Sequence, residues 1–219
     1  MDKALVMLSG GLDSATCLYW ARERFAVSAI TFNYFGRLQK EKRATHLLAE
    51  DAGVQVIEVD VPFVKEASDF NGSRMKEKKG SDLRWASYVP ARNMMFYSIA
   101  AHYAEYLNAK WIVGGHNSHD VSFFKDASRP YIEKMNSLFA EGCLLCDGRP
   151  YQIVLPLAEM DRKAIIALAH RLHVPIEMTW SCHREGELPC EKCYACMQRL
   201  EAFSALGIRD PALDLKRRE

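Results

Sequence analysis

What this 219-residue sequence lacks narrows its function before any motif is read. No apolar stretch is long enough to cross a bilayer, and Asp2 and Lys3 run directly into the first apolar segment with no leader-like region before it. Both features predict a cytoplasmic protein with no membrane partner. No Gly-Lys pair occurs anywhere, which excludes the G-x-x-x-x-G-K-[ST] loop whose lysine binds the outer phosphates of a nucleotide. Net charge is almost absent, 29 Lys and Arg facing 28 Asp and Glu to leave +1. A chain that tracks a polyanion carries a basic face or stripe, so nucleic acid is a disfavoured partner. A disulfide framework is missing as well, because the cysteines number seven and four of them crowd toward the C-terminus.

What is present is a hydrophobic content of 49%, enough for one well-buried domain with a small appendage. The chain is organised around Ala4 to Thr16, ALVMLSGGLDSAT. The continuous apolar run Leu5 to Leu8 suits a strand buried on both faces of a parallel sheet. Ser9, Gly10 and Gly11 then remove bulk where the strand ends, and Leu12 to Arg24 continue as a helix with Asp13 and Ser14 in its first turn. Glycine backbone N–H groups, hydroxyl donors and the positive end of a helix together make a phosphate site. Read on composition alone, the same stretch is also a plain Gly-Gly turn between a strand and a helix.

Further along, Val27 to Phe32 and Val54 to Val59 read as strands flanking a polar helix, Gly36 to Ala52, with Leu38, Leu47, Leu48 and Ala52 inward. Alternation of this kind predicts an α/β fold with a doubly wound parallel sheet, whose ligands lie beyond the carboxyl ends of the strands. Thr31 and Phe32 stand at such an end, as contacts or as ordinary packing. Asp60 to Trp85 is a polar excursion that reads as a lid or as a solvated charge run. Arg92 and Asn93 open a helix that continues from Met94 to Leu107, where an arginine fork suits a phosphate. Lys110 to Gly115 is another strand, ending at glycines. His116 and His119 have no further ligand near them in sequence, so a polar loop role fits better than a metal. Asp120, Ser122, Asp126 and Arg129 follow on a loop leading into a helix, Pro130 to Ala140, and could read a polar heterocycle. Cys143 and Cys146 form an isolated C-x-x-C that reads as packing cysteines, with a redox or metal role as the alternative. Ile153 to Leu157 is a short strand, and Asp161 caps a scaffold helix ending at Leu172. These elements place a nucleotide-binding domain at 1–175 and a metal-binding segment at 176–219.

Cys182, Cys190, Cys193 and Cys196 have the spacing C-x7-C-x2-C-x2-C. Four thiolates on a compact loop suit tetrahedral zinc in a closed structural site, with an iron–sulfur cluster as the alternative. His183, Glu185, Cys190 and Cys193 also match the letters of a zinc deaminase signature. The residues between the two halves are too few for separate converging elements, and Cys182 and Cys196 would go unused.

SGGLDS resembles the PP-loop of the ATP-pyrophosphatase superfamily, whose members hold pyrophosphate as an intact leaving group while a substrate oxygen attacks the α-phosphate. Together with YVPARN (Tyr88 to Asn93) and the TWSC and cysteine pattern from Thr179, it resembles the 7-cyano-7-deazaguanine synthase family over nearly the whole chain. The resemblance implies ATP, Mg2+ and Zn2+. It implies a small-molecule substrate, 7-carboxy-7-deazaguanine, ammonia as its partner, and a homodimer. Ser9, Gly10, Gly11, Leu12, Asp13 and Ser14 would cradle pyrophosphate, with Asp13 holding magnesium or orienting the loop. Thr31 and Phe32 would line the adenine pocket, Arg92 would contact phosphate, and Gly114 would back the nucleotide. Asp120, Ser122, Asp126 and Arg129 would bind the acid, and the four cysteines would bind zinc. The implied catalytic residues are Asp13, Ser14 and Arg92. The substrate stretch here reads DVSFFKDASR, where the family usually has DYSGYPDCR, which leaves another acceptor amine open, including one on a protein. A PP-loop tRNA-modifying enzyme is the other alternative.

Overall fold

The computed structural model describes residues 1–64, 89–142 and 151–213. The proposed lid, apart from residues 60–64, and the pair Cys143 and Cys146 lie outside the described residues. Five parallel strands form the sheet: β1 (Lys3–Met7), β2 (Ala26–Asn33), β3 (Val56–Asp60), β4 (Trp111–Val113) and β5 (Gln152–Val154), in the spatial order β3-β2-β1-β4-β5. The order runs outward from β1 in both directions, so a topological switch point falls between β1 and β4. Crevices at such points are where α/β sheets bind ligands.

The apolar run in β1 is continuous because each face has its own core. Ala4, Val6 and Leu8 pack on one side with α1 (Leu12–Arg22), α2 (Gln39–Ala52), α6 (Arg162–Arg171) and α7 (Tyr194–Ala205). Leu5 packs on the other with α3 (Arg92–Leu107) and α5 (Arg129–Gly142). Burying one such leucine contributes roughly 1.5–3 kcal/mol. The C-terminal segment shares the first of these cores, since Ala202 and Phe203 of α7 are buried with Ile165 and Ile166 of α6.

Several expected boundaries shift for local reasons. The helix expected from Gly36 starts at Gln39, because Gly36 has φ +82° and Leu38 is extended. Leu47 faces solvent while Ala44, Thr45 and Leu48 face inward. The third and fifth strands are Val56–Asp60 and Gln152–Val154, offset from the expected spans. The expected loop around Asp120 and Ser122 is a short helix, α4 (Ser118–Phe123), followed by a 3-10 turn at Lys125–Ala127. Its cause is a capping box: the Asn117 side chain accepts from the N–H groups of His119 and Asp120, and the Asp120 carboxylate accepts from the Asn117 N–H. Asp161 caps α6 as expected, accepting from the Ala164 N–H at 2.8 Å.

Candidate active site and metal centre

The loop between β1 and α1 is held by its own hydroxyls. Ser14 Oγ lies 3.0 Å from Ser9 Oγ, donates to the Gly11 carbonyl at 3.0 Å, and accepts from the Ser9 N–H at 3.2 Å. Gly11 is the N-cap of α1 and no side chain caps that end, so N–H groups remain available to an anion. Gly10 is required: its φ is +90°, and a Cβ there would stand 2.4 Å from the Glu41 carbonyl oxygen. The Gly10 carbonyl in turn accepts from the Trp180 N–H at 2.9 Å, tying the loop to the C-terminal segment.

Above the switch point lies a cavity of about 370 Å³ bordered by Ser9, Gly11, Leu12, Asp13, Ser14, Thr31, Phe32, Arg92 and Gly114. The fold therefore gathers into one cleft nine of the ten positions the resemblance assigned to the nucleotide; Gly10 stands behind them. A second cavity of about 250 Å³ adjoins it, with Phe123, Phe124, Asp126 and Tyr194 in its walls. Arg92, Asn93, Asp120, Arg162 and His183 border both cavities. Of the four expected acid-binding residues, Asp120 and Asp126 line the second cavity. Ser122 instead donates to the Ser118 carbonyl at 2.7 Å on its own helix, and Arg129 pairs with exposed Glu159 at 2.6 Å. Neither lines either cavity, because α4 and the start of α5 turn these two side chains outward.

Polar atoms of the cleft are partly unmatched. Among the described residues Thr31 Oγ1, Tyr97 OH and Trp180 Nε1 are buried without a hydrogen-bond partner, although all three residues border the cleft. Buried polar atoms are ordinarily satisfied, so these suit a polar ligand. Asp13 is held by Asn117 Nδ2 at 2.9 Å and faces Arg162 NH1 at 3.4 Å. Burial nevertheless raises the Asp13 carboxyl above its ordinary range, the nearby Arg162 only partly opposing it. Such a carboxylate gains by meeting a cation, which is the fit expected for magnesium beside phosphates. Burial also pushes His116 down to about 4, keeping it neutral. Burial raises the Tyr34 hydroxyl, with the Arg92 guanidinium partly opposing it. Arg37 donates to the Phe32 carbonyl at 2.8 Å and to Thr45 Oγ1 at 3.0 Å.

Asn117, Arg162, Arg37 and His116 were not read as site residues. Arg162 lies 149 positions from Asp13, and only the fold brings them together. For Asn117 a signal existed, the Asn-x-x-Asp spacing of its capping box.

The four cysteines converge with all ligand sulfurs within 4.8 Å of one another. A single tetrahedral ion with bonds of about 2.3 Å places its sulfurs about 3.8 Å apart, so this set suits one metal ion better than a bulkier cluster. The Cys193 N–H donates to the Cys190 sulfur at 3.3 Å, and the backbone N–H groups of Lys192 and Cys193 facing that sulfur hold its thiol down at about 6, while burial raises Cys182. The cluster fits a zinc knuckle. Three residues beyond Cys196, buried Arg199 binds Asp210 through two nitrogens at 2.6 and 2.9 Å and donates to Thr179 Oγ1 at 2.7 Å. The knuckle, Trp180 and the Gly10 loop are thus one connected unit.

Comparison with known proteins accords with this geometry. The solved NMN synthetase of Francisella tularensis superposes with TM-score 0.52 at 17% identity, covering 99% of this chain and 81% of that one, a likeness of fold. The 7-cyano-7-deazaguanine synthase of Trichormus variabilis is 36% identical over 225 residues, 98% of this chain and 99% of the relative. That of Archaeoglobus fulgidus is 31% identical over 217 residues, 96% and 90% of the two chains. The family model described as queuosine biosynthesis protein QueC matches residues 3–207, and on these grounds the chain belongs to the QueC family.

Proposed function

We propose that this enzyme adenylates the carboxylate of 7-carboxy-7-deazaguanine and converts it with ammonia, through an amide, to the nitrile 7-cyano-7-deazaguanine. The observation that carries the reading is the wall common to the two cavities, where Arg92 and Arg162 stand between the phosphate loop and the aromatic chamber. An acid in that chamber has rings at Phe123, Phe124 and Tyr194 to lie against, and carboxylates at Asp120 and Asp126 to accept its N–H groups. Its own carboxylate would then face two guanidinium groups and the α-phosphate beyond them.

The carboxylate oxygen attacks the α-phosphorus, the bond to pyrophosphate breaks, and the loop at Ser9 to Ser14 receives the departing anion. Ammonia adds to the acyl adenylate, AMP leaves, and the amide remains with loss of a proton. The amide oxygen is then adenylated by a second ATP, and AMP departs as the nitrogen loses its protons to form the nitrile. Magnesium beside Asp13 would supply charge neutralisation of the phosphates. Asn117 orients Asp13 for that task, and the catalysis is positioning and charge stabilisation rather than covalent attack by the protein. Zinc on Cys182, Cys190, Cys193 and Cys196 would have no open position and a structural role.

The test incubates protein with magnesium, ATP, 7-carboxy-7-deazaguanine and ammonium while following AMP, pyrophosphate and product mass. Nitrile with AMP is expected. Amide alone would remove the second activation from the proposal, an adenylate that waits would indicate a different amine, and absence of AMP would overturn the reading.

A further inference from the structure

We propose that Asn117 is a positioning residue that couples the two cavities, one side chain orienting Asp13 on the nucleotide side and Asp120 on the wall shared with the acid chamber. The residue is 3% exposed. Its Nδ2 donates to Asp13 Oδ2 at 2.9 Å, its Oδ1 accepts from the His119 and Asp120 N–H groups at 3.0 and 3.1 Å, and its own N–H donates to Asp120 Oδ2 at 3.3 Å. No other side chain in the described residues is bonded to both sides in this way.

The short helix α4 depends on that cap. Six residues cannot hold a helix by propensity, so its orientation comes from its N-terminus and its packing. On it stand Asp120, His119 and Phe123. The His119 ring lies parallel to that of Phe123, with centroids 5.8 Å apart, and its Nε2 is 3.4 Å from Tyr194 OH across the chamber. A second anchor, the Ser118 N–H on the Met160 carbonyl at 3.1 Å, fixes the helix start near Arg162. A nucleotide bound with magnesium, whose cation would draw the Asp13 carboxylate, therefore acts on Asn117, and through it on the chamber wall. An acid that settles α4 acts on Asp13 in return, since coupling between two sites is reciprocal.

The identity of the acid rests on the function proposed above. The experiment measures binding of 7-carboxy-7-deazaguanine by calorimetry with and without magnesium and α,β-methylene ATP, which cannot release pyrophosphate. Wild type is compared with Asn117→Ser and Asn117→Asp. Both variants keep an oxygen for the helix cap and lose the Nδ2 that reaches Asp13: the aspartate carboxylate has no donor, and the serine hydroxyl ends one atom short. In wild type the nucleotide analogue should tighten the acid by about 5-fold or more. In both variants the ratio should fall toward unity with melting temperature near that of wild type. Coupling retained in Asn117→Ser, or absent from wild type, overturns the proposal. Collapse of the melting temperature in both variants overturns it too, since the residue would then be structural. If the acid does not bind wild type at all, the functional reading fails, and the brace is judged on nucleotide alone. Asn117→Ser must then weaken the magnesium nucleotide more than the metal-free one, and equal effects overturn it.

Discussion

Replacing Arg199 by methionine tests whether the C-terminal segment is an integral part of the nucleotide site. The side chains of Arg199 and Asp210 are 6% and 3% exposed, and the guanidinium also donates to Thr179 Oγ1 and the Ile176 carbonyl. Methionine fills much of the same volume but leaves the Asp210 carboxylate buried without its cation, a change that costs about 3–5 kcal/mol. In a chain of this size each kcal/mol moves the melting temperature by about 2–4 °C, so a fall of about 6–20 °C is expected. Differential scanning fluorimetry with metal-loaded protein measures it. Adding Asp210→Asn removes the stranded charge while keeping an oxygen for the Ala212 N–H, so the double variant should be more stable than Arg199→Met alone. The Trp180 N–H holds the Gly10 carbonyl, and the segment carrying it is pinned by Arg199 at Thr179 and Ser181. The KM for ATP should therefore rise in the single variant, measured below its unfolding range. A melting temperature within a degree or so of wild type, about 0.5 kcal/mol or less, would refute the assignment of a buried, structure-bearing pair. A double variant less stable than Arg199→Met would refute the stranded-charge argument.

Gly10→Ala should abolish AMP release and lower the melting temperature, because its Cβ meets the Glu41 backbone oxygen and the positive φ disfavours any side chain. Asp13→Asn should likewise abolish AMP release but stabilise the fold at neutral pH. The Asp13 pKa is raised in the folded state, so its contribution is most favourable below the unfolded carboxyl value and is lost as pH rises through the folded value; the stabilisation by asparagine should fade in acid melts. Cys196→Ser should remove the bound metal, read by elemental analysis, and weaken nucleotide binding together with stability. Arg162→Gln should slow release of AMP from the acid more than from the preformed amide, compared in single-turnover assays.

The fold was largely legible because parallel strands buried on both faces write themselves as apolar runs, and the Leu5 to Leu8 run with its glycines marked a strand end, whereas the switch point beside it follows only from the strand order. The metal centre was legible for a related reason: its four ligands are close in sequence and of one unusual type. The acid chamber was less so. Asp120 and Asp126 reached it, but the facing of Ser122 depends on where the Asn117 cap starts α4, and Arg129 opens a separate helix, α5, that turns it toward Glu159. Arg162 read as scaffold because α6 is amphipathic. Its first residue reaches Asp13 only once the helix is packed beside α1, a fact of topology absent from local pattern.

The charges of the cleft divide into those already committed and those left for substrates. Arg37 has its guanidinium on the Phe32 carbonyl, Asn33 and Thr45, so it shapes the end of β2. Arg162 meets Asp13 only at 3.4 Å, a loose contact that leaves its fork able to turn toward an anion. That difference suits the proposed first activation, where a carboxylate and a polyphosphate would have to approach each other against mutual repulsion. Two cations at the shared wall lower that barrier in a cleft where burial strengthens every charge. The second activation in the proposed reaction would present a neutral amide, and the same cations would then act on the phosphates alone. The wall is therefore matched to the acid more than to the amide, which is why Arg162→Gln should separate the two half-reactions rather than slow both equally.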